Sequence, residues 1–522
     1  MKVVFVLFDS LNRLALGAYG GSIGTPNFDR FARHAIAFDH HYVGSLPCMP
    51  ARRDLHTGRL NFMHRSWGPL EPFDNSMPEI LGANGIYTHL ISDHLHYFED
   101  GGATYHTRYR SFDFIRGQEY DPWKAMVQPP VARFKEIYSQ KHYDFDAASD
   151  PAARSWARMQ HAINREFMQD ERDFPGPRCF DAAFEFLDRN GRANGWFLQI
   201  ECFDPHEPFH APERFKRQYE TGYNGGILDW PHYEKVTESP QEIAEIRANY
   251  AALVAMCDSY FGRLLDYFDE HGLWRDTALI LTTDHGFLLS EHDWWGKNRM
   301  PYYEEISHIP LLMHHPDWHG RGGARRSMLT QTIDLMPTML DLFGIAQPPE
   351  VRGHSLLACV GGEPKLRDIA IFGMFGGPVG ATDGRYAYYL FPEDLLAPGL
   401  YEYTLMPTHL RARFMPEELR TAALAGPFDF TKGAPVLRYE ALPDAMRAPM
   451  QDFKGFGDIG TVLFDLAQDP KQERPMRDAP IEARMKDGIR AALEVHDAPV
   501  EFYARYDLGR RFDTDPSQGR LD

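Results

Sequence analysis

The run Lys2–Phe8 is apolar after its first residue and stops at Asp9. A strand without polar–apolar alternation has both faces covered, the condition of strands in a parallel sheet packed between helices. The device returns later: Gly195–Phe203 runs into Asp204, and Ala278–Thr283 into Asp284-His285-Gly286. Between these two lies a helix opened by the capping box Ser239-Pro240-Gln241-Glu242, striped with apolar residues from Ile243 to Phe268 and stopped by Gly272. Helices alternating with covered strands make an α/β sheet, and such sheets place ligands beyond the carboxyl ends of their strands, where these acids fall. An acid after a strand is more often a turn or a cap, so the weight rests on its company.

Ala35–Val43, Ile86–Ser92 and Ile306–His314 read as further strands, and Met77–Asn84, Ala152–Met168, Asp181–Asp188, Leu329–Phe343 and Ile481–Val495 as helices. Residues 117–177 are otherwise polar, aromatic-rich and irregular, as substrate-selecting loops or a solvated decoration would be. A chain of 522 residues exceeds one ordinary domain. A boundary near residue 365 separates a catalytic unit, residues 1–365, from a smaller α+β unit, residues 366–522, with an antiparallel sheet and a polar tail from Asp497.

The chemistry concentrates in Ser45-Leu46-Pro47-Cys48-Met49-Pro50-Ala51-Arg52. Pro50 suits a first helical turn, where a missing N–H costs nothing. Arg52 then lies one turn above Cys48 on the same face, and both can address one anion at the positive end of the helix. A lone Cys-x-Pro-x-Arg reads first as an unmodified, half-buried cysteine in a loop.

This run resembles the signature of the sulfatase family, whose cysteine is oxidised by an enzyme to formylglycine. The rest of the chain carries the resemblance further: Asp9-Ser10-Leu11-Asn12, Leu16–Gly20 and Thr25–Ala32 before the nucleophile; Asp204-Pro205-His206-Glu207-Pro208-Phe209; Asp284-His285-Gly286 followed by Lys297; and Gly353-His354-Ser355-Leu356, Ala381–Tyr386 and Leu463–Pro470 near the end. It implies an alkaline-phosphatase-like fold, a large, mixed, mostly parallel sheet sandwiched by helices. It implies Asp9, Asp284, His285 and Cys48 as metal ligands, Cys48 as the formylglycine nucleophile, and Arg52, His206 and Lys297 as groups that handle substrate. His94 and His96 stand near the family's Lys-x-His pair, without its lysine, and are assigned to substrate or to the elimination base.

The resemblance implies hydrolysis of a sulfate ester. One hydroxyl of the formylglycine gem-diol, activated by a divalent cation, attacks sulfur; Lys297 and Arg52 hold the equatorial oxygens, and His206 or Lys297 serves the leaving oxygen. Where many members carry a second aspartate this chain has Ser10. One carboxylate fewer and an imidazole weaken the case for an all-oxygen calcium cage; the expected ion is calcium or manganese, with magnesium behind them. The Asp-His pair is also a feature of phosphonate monoester hydrolases, so a phosphonate or phosphodiester substrate is the rival activity; an inactive binding protein with this fold is the remote one.

A net charge of -19 argues against nucleic acid or an anionic membrane as partner. The expected partners are a small ester and, during maturation, a formylglycine-generating enzyme; a homo-oligomer stays open. Five cysteines without metal-ligand spacing and an opening run too short for a signal-peptide core lead to an expected cytoplasmic location. Arg13, Arg59, Arg65 and His64 are candidates for the site entrance, and Tyr120-Asp121-Pro122-Trp123 and Trp294-Trp295 for stacking on a ring.

Overall fold

A computed structural model of the chain describes residues 1–146, 154–318, 320–359, 361–362, 364–442 and 460–509. The expected start of a helix at Ala152 and the tail beyond residue 509 lie outside the described residues; the helix itself covers Arg154–Arg165. In chain order the strands of the N-terminal part are β1 (Lys2–Phe8), β2 (Ile36–Tyr42), β3 (Tyr87–Ser92), β4 (Ser111–Phe114), β5 (Trp196–Cys202), β6 (Thr277–Thr283), the short pair β7 (Leu288–Leu289) and β8 (Trp295–Gly296), then β9 (Leu311–His314) and β10 (Arg325–Gln331). All but β7 and β8 form one eight-stranded sheet in the order β10-β2-β9-β6-β1-β5-β3-β4. Only β9 runs antiparallel to its neighbours, so the sheet is mixed and mostly parallel, as expected.

β1 lies between β5 and β6 with Phe8 level with both Cys202 and Thr283. The three chains therefore leave the sheet side by side, delivering Asp9, Phe203 and Asp284 to one edge. Along β1, Val4, Val6 and Phe8 enter a core shared with the long helix Pro240–His271, while Val3, Phe5 and Leu7 enter a second core with Met49 and Leu55 on the opposite face. Each such side chain contributes about 1.5–3 kcal/mol on burial, which is why no position of the strand after Lys2 is polar. The long helix is bounded as its caps predict: Ser239 Oγ accepts from the Glu242 N–H, and Gly272 ends it at φ 63°.

Three expectations change. Ile306–His314 is not one strand: a helical turn, Glu304–Ser307, precedes β9, and Pro310, lacking a backbone donor, stands at the junction. Leu329 belongs to β10, which pairs in parallel with β2, so the helix begins only after it, with a turn at Thr332–Asp334 continuing into Leu335–Leu342. An unexpected short strand, β4, precedes the irregular region, which itself contains a helix at Val131–Ile137 and the start of a helix that runs from Pro175 to Asn190. Phe134, Tyr138, Tyr143, Met159, Ile163 and Trp230 give it a core of its own.

The C-terminal residues form β11 (Ala370–Gly373), β12 (Val379–Thr382), β13 (Tyr386–Leu390), β14 (Tyr401–Thr404), β15 (Ala423–Ala425), β16 (Val436–Glu440) and β17 (Val462–Asp465). They make two antiparallel sheets, β11-β12-β13-β17 and β14-β16-β15. The helix Ala479–Val495 covers the first through Met485, Ile489 and Leu493, in a core that also takes Leu60, Phe62 and Met63 from beyond the Cys48 helix. Among the described residues no helix is long and apolar enough to cross a membrane.

Candidate active site

Cys48 is the first residue of the buried helix Cys48–Thr57, directly after Pro47. The loop before it is fixed from behind. Asp54, one and a half turns further along that helix, accepts from the Ser45 N–H at 2.5 Å, the Ser45 hydroxyl at 2.8 Å and the Asn61 amide at 2.9 Å. Gly44 is required there, because a Cβ would stand 2.2 Å from Asp54 Oδ2.

Around Cys48 the strand ends converge. One ligand atom from each of Asp9, Cys48, Asp284 and His285 lies within 4.8 Å of all the others. Cys48 Sγ is 3.2 Å from His285 Nε2 and accepts from Lys297 Nζ at 3.1 Å. Arg52 donates through Nε to Glu201 at 2.8 Å, through Nη1 to Asp284 at 2.5 Å and through Nη2 to Asp9 at 2.9 Å. Each guanidinium nitrogen meets a carboxylate, so Arg52 gathers the three acids beside Cys48.

The charges follow from these contacts. Burial alone would raise the Asp9 carboxyl, but Arg52 and Lys297 hold it well below the usual carboxylate range. Burial, reinforced by Asp9 and only partly offset by Lys297, pushes the unmodified Cys48 thiol far up, so as cysteine this residue is a poor nucleophile. Lys297 stays charged against the pull of burial because Glu207, Asp9 and Asp284 are near it. It is carried by the β7–β8 hairpin, with Gly296 at φ 107° immediately before it. Its Nζ also meets His206 Nε2, while His206 Nδ1 donates to the Glu207 carbonyl at 2.5 Å. Burial and Lys297 keep His206 neutral, and the two contacts select its Nδ1–H tautomer.

The two remaining histidines part company. His94 Nε2 is 3.3 Å from Asp9 Oδ2, neither ring nitrogen has a hydrogen bond, and burial with Arg52 beside it lowers its pKa to about 4. His96 turns away: Nδ1 pairs with Glu99 at 2.7 Å and Nε2 accepts from Arg411 at 3.0 Å, so it is a wall of the pocket and not a group beside the nucleophile. The supposed entrance residues are mostly elsewhere. Arg65 is buried against Glu402 and Glu71, His64 Nε2 is 2.8 Å from the Asp497 carbonyl oxygen, and Arg59 lies over the Phe430 ring. Arg13 and His292 border an open cleft that none of the Cys48 group lines, and His292 stacks on Tyr303. Trp295 is buried, with Nε1 donating to Glu238 at 2.7 Å.

The donor set suits a divalent cation. His285 donates Nδ1–H to the Gly286 carbonyl at 2.9 Å, which leaves the Nε2 lone pair facing Cys48 and Asp284. Asp9, Asp284 and Glu201 outnumber Arg52 and Lys297, three charges against two, so the group carries a negative surplus for a cation to offset. Two participants were missed in the sequence. Glu201 shares a face of β5 with Gln199, and an amide and an acid two apart in a covered strand is a signal that was there to be read; Tyr97 and Gln199 donate to its second oxygen. Arg411 arrives from the C-terminal part and has no motif around it.

A family model described as Sulfatase matches residues 2–345. The chain is 25% identical over 405 residues to an N-acetylglucosamine-6-O-sulfatase of Bacteroides thetaiotaomicron, covering 70% of this chain and 71% of that protein. It is 26% identical over 437 residues to a choline-sulfatase of Rhizobium meliloti, with 76% and 79% covered. The fold is similar to that of the phosphonate monoester hydrolase of Agrobacterium radiobacter, at a TM-score of 0.61 and 19% identity over 95% of each chain.

Proposed function

The chain belongs to the sulfatase family, and from that premise we propose that it hydrolyses a sulfate ester with a formylglycine made from Cys48, supported by one divalent cation. One observation carries the reading: Cys48 Sγ lies within reach of both Lys297 Nζ and His285 Nε2, inside a group completed by Asp9 and Asp284. Asp9, Asp284, His285 and residue 48 would hold the cation, with manganese or calcium ahead of magnesium for a set that mixes carboxylates with an imidazole. When bound, it supplies Lewis acidity that makes a hydroxyl on residue 48 nucleophilic near neutral pH.

The chain's own residues divide the remaining work. Arg52 holds Asp9 and Asp284 in place. Lys297, charged and 3.1 Å from Cys48 Sγ, is the donor for an oxygen of the sulfate or of the leaving alcohol. His206 accepts from Lys297 and aims it; being neutral with its proton on Nδ1, it is a poor acid itself. His94, neutral and without a hydrogen bond, is the base that takes a proton from residue 48 when sulfate departs.

The phosphonate alternative is favoured by Ser10 standing where a second carboxylate would add negative charge. Comparing kcat/KM on an aryl sulfate and an aryl phosphonate monoester separates the two. Maturation requires a formylglycine-generating enzyme, and a reducing, cytoplasmic setting is supported by five cysteines that are all buried and free.

The test is the mass of the tryptic peptide His34–Arg52 from protein produced beside such an enzyme. A peptide lighter than the cysteine form by about 18 Da, the covalent signature of the conversion, is expected together with turnover of an aryl sulfate. Unmodified cysteine, in cells that convert a control sulfatase, would defeat the mechanism.

A further inference from the structure

Beyond His206 and Lys297 the pocket has a wall that hydrolysis of the ester does not explain. Glu207 is 2% exposed. Its Oε1 accepts from the Tyr233 hydroxyl, and its Oε2 has only His206 Nδ1, at 3.3 Å. Glu119 is 7% exposed, and its Oε2 has no hydrogen-bond partner. The Glu119 backbone stands at φ 45°, in the left-handed region that costs a non-glycine residue roughly 1–2 kcal/mol. The next residue, Tyr120, places its ring 5.4 Å from the Arg411 guanidinium. Both acids are near enough to Lys297 for its charge to act on them, and Glu119 is near enough to Glu207 for the same.

A buried carboxyl oxygen without a partner costs about 1–3 kcal/mol, recovered when a donor arrives. Resting on the sulfatase reading, we propose that Glu119 and Glu207 form the subsite for the leaving alcohol and accept hydrogen bonds from O–H or N–H groups that this alcohol carries. The preferred substrate is therefore the sulfate ester of a hydroxylated or amino-bearing alcohol such as a sugar, over a bare aryl alcohol. Arg411 and Tyr120, from opposite ends of the sequence, form the side of the subsite against which a ring can lie.

The experiment compares wild type and Glu119→Gln, both with residue 48 converted and divalent ion present, on glucose 6-sulfate and on 4-nitrophenyl sulfate. The quantity read is the ratio of the two kcat/KM values, which cancels differences in conversion and loading. It is expected to fall about tenfold or more in the variant, the effect of one lost hydrogen bond in a buried site; an unchanged ratio, as for a site filled by water, overturns the proposal. If Glu119→Gln does not fold, Glu119→Asp must move the same ratio by shortening the reach. If converted wild type cleaves neither ester, the sulfatase reading fails by itself, and calorimetric binding of glucose 6-sulfate decides the subsite: affinity must weaken about tenfold in the variant, and equal affinity overturns it.

Discussion

The two ends of the active-site pocket are built on opposite rules. At the chemical end every carboxylate oxygen is partnered: Asp9 by Arg52 and Ser10, Asp284 by Arg52, Ser10 and His285, and Glu201 by Arg52, Tyr97 and Gln199. At the recognition end, Glu119 keeps a buried oxygen without a hydrogen bond, and Glu207 Oε2 has only His206 Nδ1 at 3.3 Å. A saturated network has one geometry whether or not a ligand is present, as the positioning of a nucleophile requires. Unsaturated groups are costly until something binds them, so they discriminate among ligands.

The sharpest test of this division is made where the ends meet. Cys48→Ser keeps the size of the side chain but removes the sulfur that the proposed conversion needs. Turnover of an aryl sulfate should fall by roughly 10⁴-fold or more, the scale of losing a covalent nucleophile, while the urea midpoint moves little. Activity above about one per cent of wild type would detach the chemistry from residue 48.

A second test breaks the saturated end. Arg52 holds three carboxylates in a region where its own side chain has 0% exposure. Arg52→Met leaves those acids buried without their cation, and the expected loss is about 3–5 kcal/mol of unfolding free energy by urea titration in metal-free buffer. Added manganese should recover part of it, because a cation at Asp9 and Asp284 replaces part of the missing charge. A loss under about 1 kcal/mol would mean that the acids are held by the strand ends alone and that the network is incidental.

The same contrast explains what could be read from the sequence. Asp9, Asp284 and His285 were visible because each ends a covered strand, and the parallel register of β1 and β6 turns sequence pattern directly into proximity. His206 and Lys297 were recognisable from a proline-fixed turn after β5 and from spacing after Asp284. Glu119 was hidden in a segment whose composition is that of any solvated loop, and its burial depends on a local core, around Phe134 and Trp230, assembled from residues far apart in the chain. Arg411 meets His96 across 315 residues, a contact that no periodicity encodes. The strand misplaced at Ile306 failed for a local reason, since an apolar run was credited through Pro310.

The smallest effect tests the unsaturated end through pH. Burial, with Glu207 adding to it and Arg411 opposing, lifts the Glu119 carboxyl from an ordinary value of 4.5 to about 8. Between those values the folded protein holds a proton that the unfolded chain has released, so the native state binds more protons and stability falls as pH rises through this window. Glu119→Gln cannot ionise. Near pH 5 the two proteins should therefore be almost equally stable, and the variant should gain on wild type up to about pH 9, by of the order of 2 kcal/mol, once relaxation of the carboxylate towards Arg411 is allowed for. Urea midpoints measured every half unit of pH read this directly. A difference that stays flat would mean that Glu119 already has a partner in the free protein, which removes the cost that sets the recognition end apart; a gain confined to the alkaline side would mark a residue kept at some expense to the fold, as a ligand-binding group is.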